Sequence, residues 1–305
     1  MTAPLLELEQ VRCSVDATTL LDNVSLCTSS RRVGVSGRTA GVAALLEGKA
    51  QLHAGQVKVL GEPLESARRK RLFGCAALLD QVPPKWTVRQ VLEIAAQIAG
   101  YAPSDGRVRA TTVLDHLEQP LLLKRVWSRC TAVELSIVAL ALGLIAEPAL
   151  LFVRLPLGEL RLPEILRYGP ALARATAGLD VIAELRIPPA LPEELSWVSG
   201  LDSMTYVFES GPSVSQGALP RNRIRYLLRA EGDTARASAA LHAAGFSPIL
   251  INAPNNQNLG QLTCLVDIDL GVDGTPDTGT LLDSALASEL DVLELTPVAS
   301  VPNGR

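Results

Sequence analysis

Apolar and polar positions change rhythm several times along the chain, and each change marks an element. Over Leu6 to Leu26 they first alternate (LELEQV) and then close on a short apolar run, Val24 to Leu26. Alternation with period two is the mark of a strand with one buried face. The stretch Arg31 to Gly37 (RRVGVSG) predicts a further strand, which enters a Gly-containing turn and then an alanine–leucine helix, GVAALLEG. Gly55 to Leu60 alternates again, ahead of the turn Gly61-Glu62-Pro63. From Val88 to Gly100 apolar residues fall at helical spacing behind Thr87, whose hydroxyl suits an N-cap. A polar, helical section runs on to about Arg129. Then AVELSIVALALGLIAEPALLFVRLP reads as a buried helix, a Glu147-Pro148 stop and a buried strand from Leu150 to Val153. A continuously apolar strand belongs at the centre of a sheet covered on both faces. A helix (Glu164 to Thr176) and strands at Leu179–Ala183 and Met204–Phe208 complete this part.

Residues 212 to 222 (PSVSQGALPRN) are turn-rich and mark a boundary, so the chain divides into a first domain over 1–216 and a second over 217–305. In the second, strands are expected at Arg223–Arg229, Pro248–Asn252, Leu262–Leu270 and Val292–Val298. Helices are expected at Thr234–Ala244 and Leu281–Ser288. The order β-α-β-β-α-β fits a small split α+β module. Gly271 to Thr280 (GVDGTPDTGT) reads as a loop.

Composition narrows the function classes. The formal charge over 305 residues is -4, which gives no polycationic surface for nucleic acid. Aromatics are 4% against 48% hydrophobic, so Ala, Leu, Val and Ile must build the core. The longest apolar run, Val138 to Ile145, is far short of the ~20 residues a membrane helix needs. MTAPLLELEQ has no basic segment of the kind that opens a secretory signal. Cys13, Cys27, Cys75, Cys130 and Cys264 show no C-x-x-C spacing, and His53, His116 and His242 lie far apart. Reduced thiols and no metal site are the expectation.

In their order, these elements resemble those of an ABC-transporter ATP-binding subunit of the exporter type. The resemblance spans nearly the whole chain. LELEQVRCSVDATTLLDNVSL is similar to the family's first strands, and LLEGKAQLHAGQVKVLGEPL to the helix after the P-loop with its following strand. WTVRQVLEIAAQIAG resembles the entry to the helical subdomain, placed at about 86–135, and VALALGLIAEPALLFV the helix leading into the Walker B strand. TGTLLDSALASELDVLELTPV resembles the C-terminal accessory domain. The resemblance implies an α/β fold: a P-loop NTPase-type mixed sheet with an antiparallel subdomain and a helical subdomain, followed by a small α+β domain.

The residues that would hold a nucleotide in such a family are replaced. A P-loop needs G-x-x-x-x-G-K-[ST], glycines for backbone approach, Lys for phosphate charge and a hydroxyl for magnesium. The matching segment, Gly37-Arg38-Thr39-Ala40-Gly41-Val42-Ala43, is one residue short, with Val42 at the Lys position and Ala43 at the hydroxyl position. Arg38 is its one cation. The Walker B strand should end in Asp-Glu to support magnesium and polarise water. Arg154 and Leu155 stand there, and a guanidinium repels the metal. The signature loop reads Cys130-Thr131-Ala132-Val133-Glu134, with both glycines gone and an acid placed toward the phosphate. Val15 replaces the adenine-stacking aromatic, Leu185 or Arg186 the switch histidine, and Leu157-Gly158-Glu159-Leu160 the D-loop. Gln81 in LLDQVPPKWTV keeps the Q-loop position.

The resemblance therefore implies a pseudo-ATPase: not an enzyme, with neither ATP, magnesium nor another metal bound tightly. Its partners would be a membrane permease and an active ATPase paralogue or a second copy of itself, and it would lie at the cytoplasmic face of the membrane through the permease. Gln81, Val82 and Trp86 would line the docking surface. The alternatives are a free cytosolic interaction or regulatory scaffold that reuses the fold, a protein that binds ATP weakly without hydrolysis, and an enzyme using relocated residues such as Arg38 and Glu134.

Overall fold

In the computed structural model, residues 3–28, 30–37, 39–155, 162–184, 201–207, 210–212, 214–217, 223–231, 234–246, 248–250, 261–269, 278–287 and 291–301 are described. The opening alternation forms β1 (Leu6–Val15) and β2 (Thr18–Thr28), an antiparallel hairpin in which Leu6 faces Thr28 and Val15 faces Thr18. Its inward residues Leu6, Leu8, Val11 and Cys13, with Leu21, Val24 and Leu26 opposite, are at most 3% exposed. β3 (Arg32–Gly37) and α1 (Ala40–Leu46) follow, then β4 (Gln51–Val59), β5 (Glu62–Pro63) and α2 (Leu64–Arg69). β4 and β5 extend the hairpin on the β1 side. At the β1/β4 register shift Gly55 has φ +84, and a Cβ there would lie 2.4 Å from the Glu9 carbonyl oxygen, so only glycine fits.

β6 (Phe73–Ala76) leads through a turn into a helical section made of α3 (Val88–Ile98), α4 (Pro103–His116), two short 3₁₀ turns at Pro120–Lys124 and Trp127–Arg129, and α5 (Ala132–Leu144). Thr87 and Gln90 close a capping box at the start of α3, as the sequence predicts, and Thr131 and Glu134 form a second at α5. β7 (Leu150–Arg154), α6 (Leu162–Ala175), β8 (Asp180–Glu184), β9 (Ser203–Val207), β10 (Ser210–Pro212) and β11 (Val214–Gly217) complete this part. β10 adds a parallel edge to β2 in the antiparallel sheet. The other sheet has the order β11-β9-β3-β8-β7-β6, parallel except at the β11 edge.

This six-stranded sheet separates two cores, which explains the unbroken apolar run of β7. Leu150, Phe152 and Ile182 face the core shared with the antiparallel sheet and α1. Leu151, Val153, Val181 and Ala183 face the core built by α3 to α6. α5 lies so close to β6 that a Cβ on Gly74 would sit 1.8 Å from the Gly143 carbonyl oxygen. Tyr101, in the α3–α4 turn, is stacked between the guanidinium groups of Arg71 (4.3 Å) and Arg109 (3.7 Å).

The third sheet has the order β13-β14-β12-β15, built from β12 (Arg223–Glu231), β13 (Ile249–Leu250), β14 (Gln261–Asp269) and β15 (Asp291–Val301). With α7 (Thr234–Ala243) and α8 (Thr278–Ala287) it has its own core, including Leu228, Leu241, Val266 and Leu281. The element order is the expected one. Strand ends shift by one to three residues, and Thr278 to Thr280, read as loop, are the first turn of α8, with the Ser284 hydroxyl donating to the Thr280 carbonyl. Among the described residues no helix is long and apolar enough to cross a membrane.

Candidate functional site

In an open parallel sheet, ligand chemistry gathers at the carboxyl ends of the strands. Here β8 lies between β3 and β7, and its last residue, Glu184, is level with Val35 on one side and Arg154 on the other. The Glu184 side chain is 3% exposed. A carboxylate so buried must be paired and hydrogen-bonded to be tolerated. Both its oxygens are used: the Thr39 hydroxyl donates to Oε1 at 2.7 Å, and Arg154 Nε donates to Oε2 at 2.6 Å. The Leu155 N–H donates to the Glu184 carbonyl at 3.1 Å, fixing the two strand ends together.

Arg154 also reaches Glu47 at the C-terminal end of α1 (3.6 Å), and Lys49 joins Glu47 (3.1 Å) to Asp80 (3.6 Å). Thr39, Glu184, Arg154, Glu47, Lys49 and Asp80 thus form one chain of contacts. It ties both ends of α1 to β7, β8 and the turn after β6. Burial works against the Lys49 charge, but Glu47 and Asp80 together raise its pKa. A cavity of about 400 Å³ opens beside this chain, lined by Glu47, Lys49, Asp80 and Arg154 at one side and by Leu78, Leu135 and Ala139 at the other.

The residues singled out in the sequence fall as follows. Gly37 ends β3 with φ +86. Arg38 lies outside the described residues. Only Arg38 and Thr39 separate β3 from α1, and the Thr39 N–H donates back to the Gly37 carbonyl at 2.9 Å. Gly41, Val42 and Ala43 are inside α1, and Val42 and Ala43 pack in the core against the antiparallel sheet. The first turn of α1 therefore takes up the positions read as loop, and among the described residues the side chain at the mouth of the site is that of Thr39. A Cβ on Gly41 would meet Leu21 at 2.4 Å, so the glycine serves close helix–sheet packing.

Arg154 ends β7, and Leu155 beside it is 2% exposed. Gln81 is exposed in a turn at φ +56, whereas Val82 and Trp86 are half-buried against the helical core. Val15 ends β1, half-buried. Glu134 requires a correction. It does not project from a loop toward a ligand, because α5 begins at Ala132, as its apolar pattern predicts, and Thr131 is the N-cap. The Glu134 carboxylate turns back onto the Thr131 N–H (2.8 Å) and pairs with Arg125 (3.4 Å) and Arg167 (3.6 Å). Leu185, Arg186 and Leu157 to Leu160 lie outside the described residues. Sequence reasoning missed Glu184, Glu47 and Thr39. Its available signal was an acid closing each of two otherwise apolar runs, VIAE and AALLE.

Solved structures with this arrangement of sheets and helices are ATP-binding cassettes. One is a nucleotide-free ATP-binding cassette from an ABC transporter (TM-score 0.57, 13% identity, covering 71% of this chain and 92% of that one). Another is the dimeric structure of a bacterial ABC transporter cassette (TM-score 0.55, 15% identity, covering 70% and 99%). A third, from Clostridium perfringens, is part of an ABC transporter complex (TM-score 0.53, 16% identity, covering 71% and 89%). The fold is that of an ABC ATP-binding cassette. At these identities the likeness is one of fold. No protein-family model matches the sequence, and no curated protein matches it. The Arg154–Glu184 pair thus lies at the strand ends of a cassette core, in the region its carboxyl-edge topology reserves for a ligand.

Proposed function

We propose that this chain is a pseudo-ATPase: a non-catalytic subunit of the cassette type that serves as structural or regulatory partner of a membrane permease. It would act beside an ATP-hydrolysing paralogue or a second copy of itself. The observation that carries the reading is the Arg154–Glu184–Thr39 tie. In P-loop NTPases a Ser/Thr hydroxyl and a Walker B acid hold magnesium. Here the available hydroxyl donates to a buried carboxylate, and an arginine ends the strand.

The residues present do not fit a magnesium nucleotide. A two-residue connection from β3 to α1 is too short for the four residues a phosphate loop holds between its glycines. A polyphosphate at the strand ends would face the Glu184 and Glu47 carboxylates, and a divalent cation would face Arg154. Support for transporter partners comes from the neighbours that are a dimer and a part of a transporter complex. The turn carrying Gln81, Val82 and Trp86 is our candidate for permease docking, which would bring the chain to the cytoplasmic face of the membrane.

Calorimetric titration with ATP, with and without magnesium, tests the first half. We expect no binding tighter than about 10 μM, roughly -7 kcal/mol. Tighter binding, or a magnesium-dependent ATPase rate abolished by Arg38→Ala, sinks the proposal. Co-purification from detergent extracts tests the second half: an integral permease is expected, and a membrane-free homodimer alone would favour the free scaffold.

A further inference from the structure

Two stretches of the chain that carry cations and no acids, residues 81–92 and 119–133, are brought together in the helical section. The Trp127 N–H donates to the Trp86 carbonyl (2.7 Å), Ser128 to Pro84 (3.2 Å) and Val88 to the Arg125 carbonyl (2.9 Å). Thr87 and Val126 form a bridge between them. Lys85, Arg89, Lys124 and Arg129 each lie one residue from one of these hydrogen bonds. Lys85, Lys124 and Arg129 are exposed, and Arg89 is half-buried.

These four differ from the other cations of the chain's first part. Most of the other described lysines and arginines up to Glu184 have a carboxylate, carbonyl or aromatic partner. Arg12 pairs with Asp22, Lys58 with Glu7 and Glu9, Lys70 with Glu62, Arg107 with Glu93, Arg109 with Glu147 and Arg174 with Glu118. Lys85, Arg89, Lys124 and Arg129 have none. Arg89 moreover sits in the first turn of α3, which has no acid, where the helix dipole disfavours a positive charge. Among the described residues up to Glu184, the cations without a partner thus gather on these two adjoining stretches, although the net charge of the chain is -4.

Apolar groups accompany them. Leu121 is 88% exposed, and in its 3₁₀ turn it eclipses Lys124 three residues on. Trp86 and Trp127 are half-buried at the junction of the two stretches. Cations on two adjoining stretches, one of them beside an exposed leucine, with tryptophans at their junction, suit an anionic bilayer surface: headgroups take the charges, the tryptophans sit at the interface and the leucine enters the acyl boundary. We infer that this patch binds anionic lipid directly, with Leu121 inserted, independently of any permease.

The test is flotation of the purified full chain with vesicles of phosphatidylcholine, alone or with about one third phosphatidylglycerol. Binding is expected only to the anionic vesicles and should be lost when salt is raised to about 0.5 M. Removing each cation should weaken binding about fivefold, so Lys85→Gln/Lys124→Gln/Arg129→Gln should lose about a hundredfold. A control with the same charge loss elsewhere, Arg12→Gln/Lys58→Gln/Lys70→Gln, should lose far less. Arg89→Gln should weaken binding while raising the melting temperature, a pair of opposite changes that a damaged fold does not give. No binding to anionic vesicles, or equal losses in the two triple variants, overturns the inference. Unchanged binding by Leu121→Gln also overturns it, because the leucine would then not be inserted.

Discussion

Replacing Arg154 by methionine removes the guanidinium and nearly keeps the volume, which isolates the charge. Glu184, 3% exposed, then keeps the Thr39 hydroxyl as a hydrogen-bond donor but has lost its cation, while Glu47 still has Lys49. Deleting one partner of a fully buried ion pair costs about 3–5 kcal/mol. Arg154 is 38% exposed, so water partly replaces it, and the discounted loss is about 2–3 kcal/mol. Glu184→Gln keeps the shape and can still accept a hydrogen bond, so it should cost only about 1 kcal/mol. In Arg154→Met/Glu184→Met no buried charge is stranded, and stability should return to within about 1 kcal/mol of the native chain. The double variant is therefore more stable than Arg154→Met alone. Urea unfolding followed by circular dichroism measures this cycle, read as midpoint shifts at constant slope. A double variant that loses the sum of the separate Arg154→Met and Glu184→Met losses, or a loss below about 0.5 kcal/mol for Arg154→Met, would refute the assigned role of the pair.

Gly74→Ala should cost about 3 kcal/mol or more in the same assay, because its Cβ would meet the Gly143 backbone at 1.8 Å and α5 would have to move. An unchanged midpoint would contradict the close approach of α5 to β6. Burial opposes ionisation of Glu134, but the Thr131 N–H, Arg125, the Thr131 hydroxyl and Arg167 outweigh it and hold its pKa below the ordinary carboxylate value. A lowered folded pKa means stability present above about pH 4.3 and lost as pH falls through the folded value. Melting temperatures of the native chain and Glu134→Gln should therefore differ at neutral pH and converge on acidification below that point; parallel curves down to pH of about 3 count against it. Burial, with Glu47 nearby, pushes the Cys75 thiol up to about 12, and burial alone pushes Cys264 up to about 12. Iodoacetamide at about pH 8 should label exposed Cys27 first, half-buried Cys75 far more slowly and buried Cys264 only on unfolding, as mass mapping would show.

The fold was readable in the chain wherever periodicity and burial coincide. β7 announces itself because it is apolar on both faces, and it is apolar because Phe152 and Val153 serve different cores. Thr87 announces α3 because a capping box is local chemistry. The start of α1 was less legible: Ala40 to Leu46 is so uniformly small and apolar that register within it carries no signal, and Val42 reads as easily at a loop mouth as in a core. Glu134 was misjudged for the related reason that a capping carboxylate and a ligand-facing one look alike until the helix start is fixed.

The same limit explains why the site looked only like a set of losses. Taken singly, Arg154 on β7 is a charge reversal, and Glu184 on β8 is an acid ending a strand; 30 residues separate them. Parallel pairing places them level, so the arginine at the strand end comes with a carboxylate buried deeply enough to require it. Thr39 then supplies the second hydrogen bond that Glu184 needs, from the one polar side chain the short β3–α1 connection places there in the described structure. The three residues satisfy one another, and each would be costly without the others. Removing any one of them strands another in a poorly solvated place, which is why the strand ends of β7 and β8 are held by an ion pair and a hydroxyl together rather than by either alone.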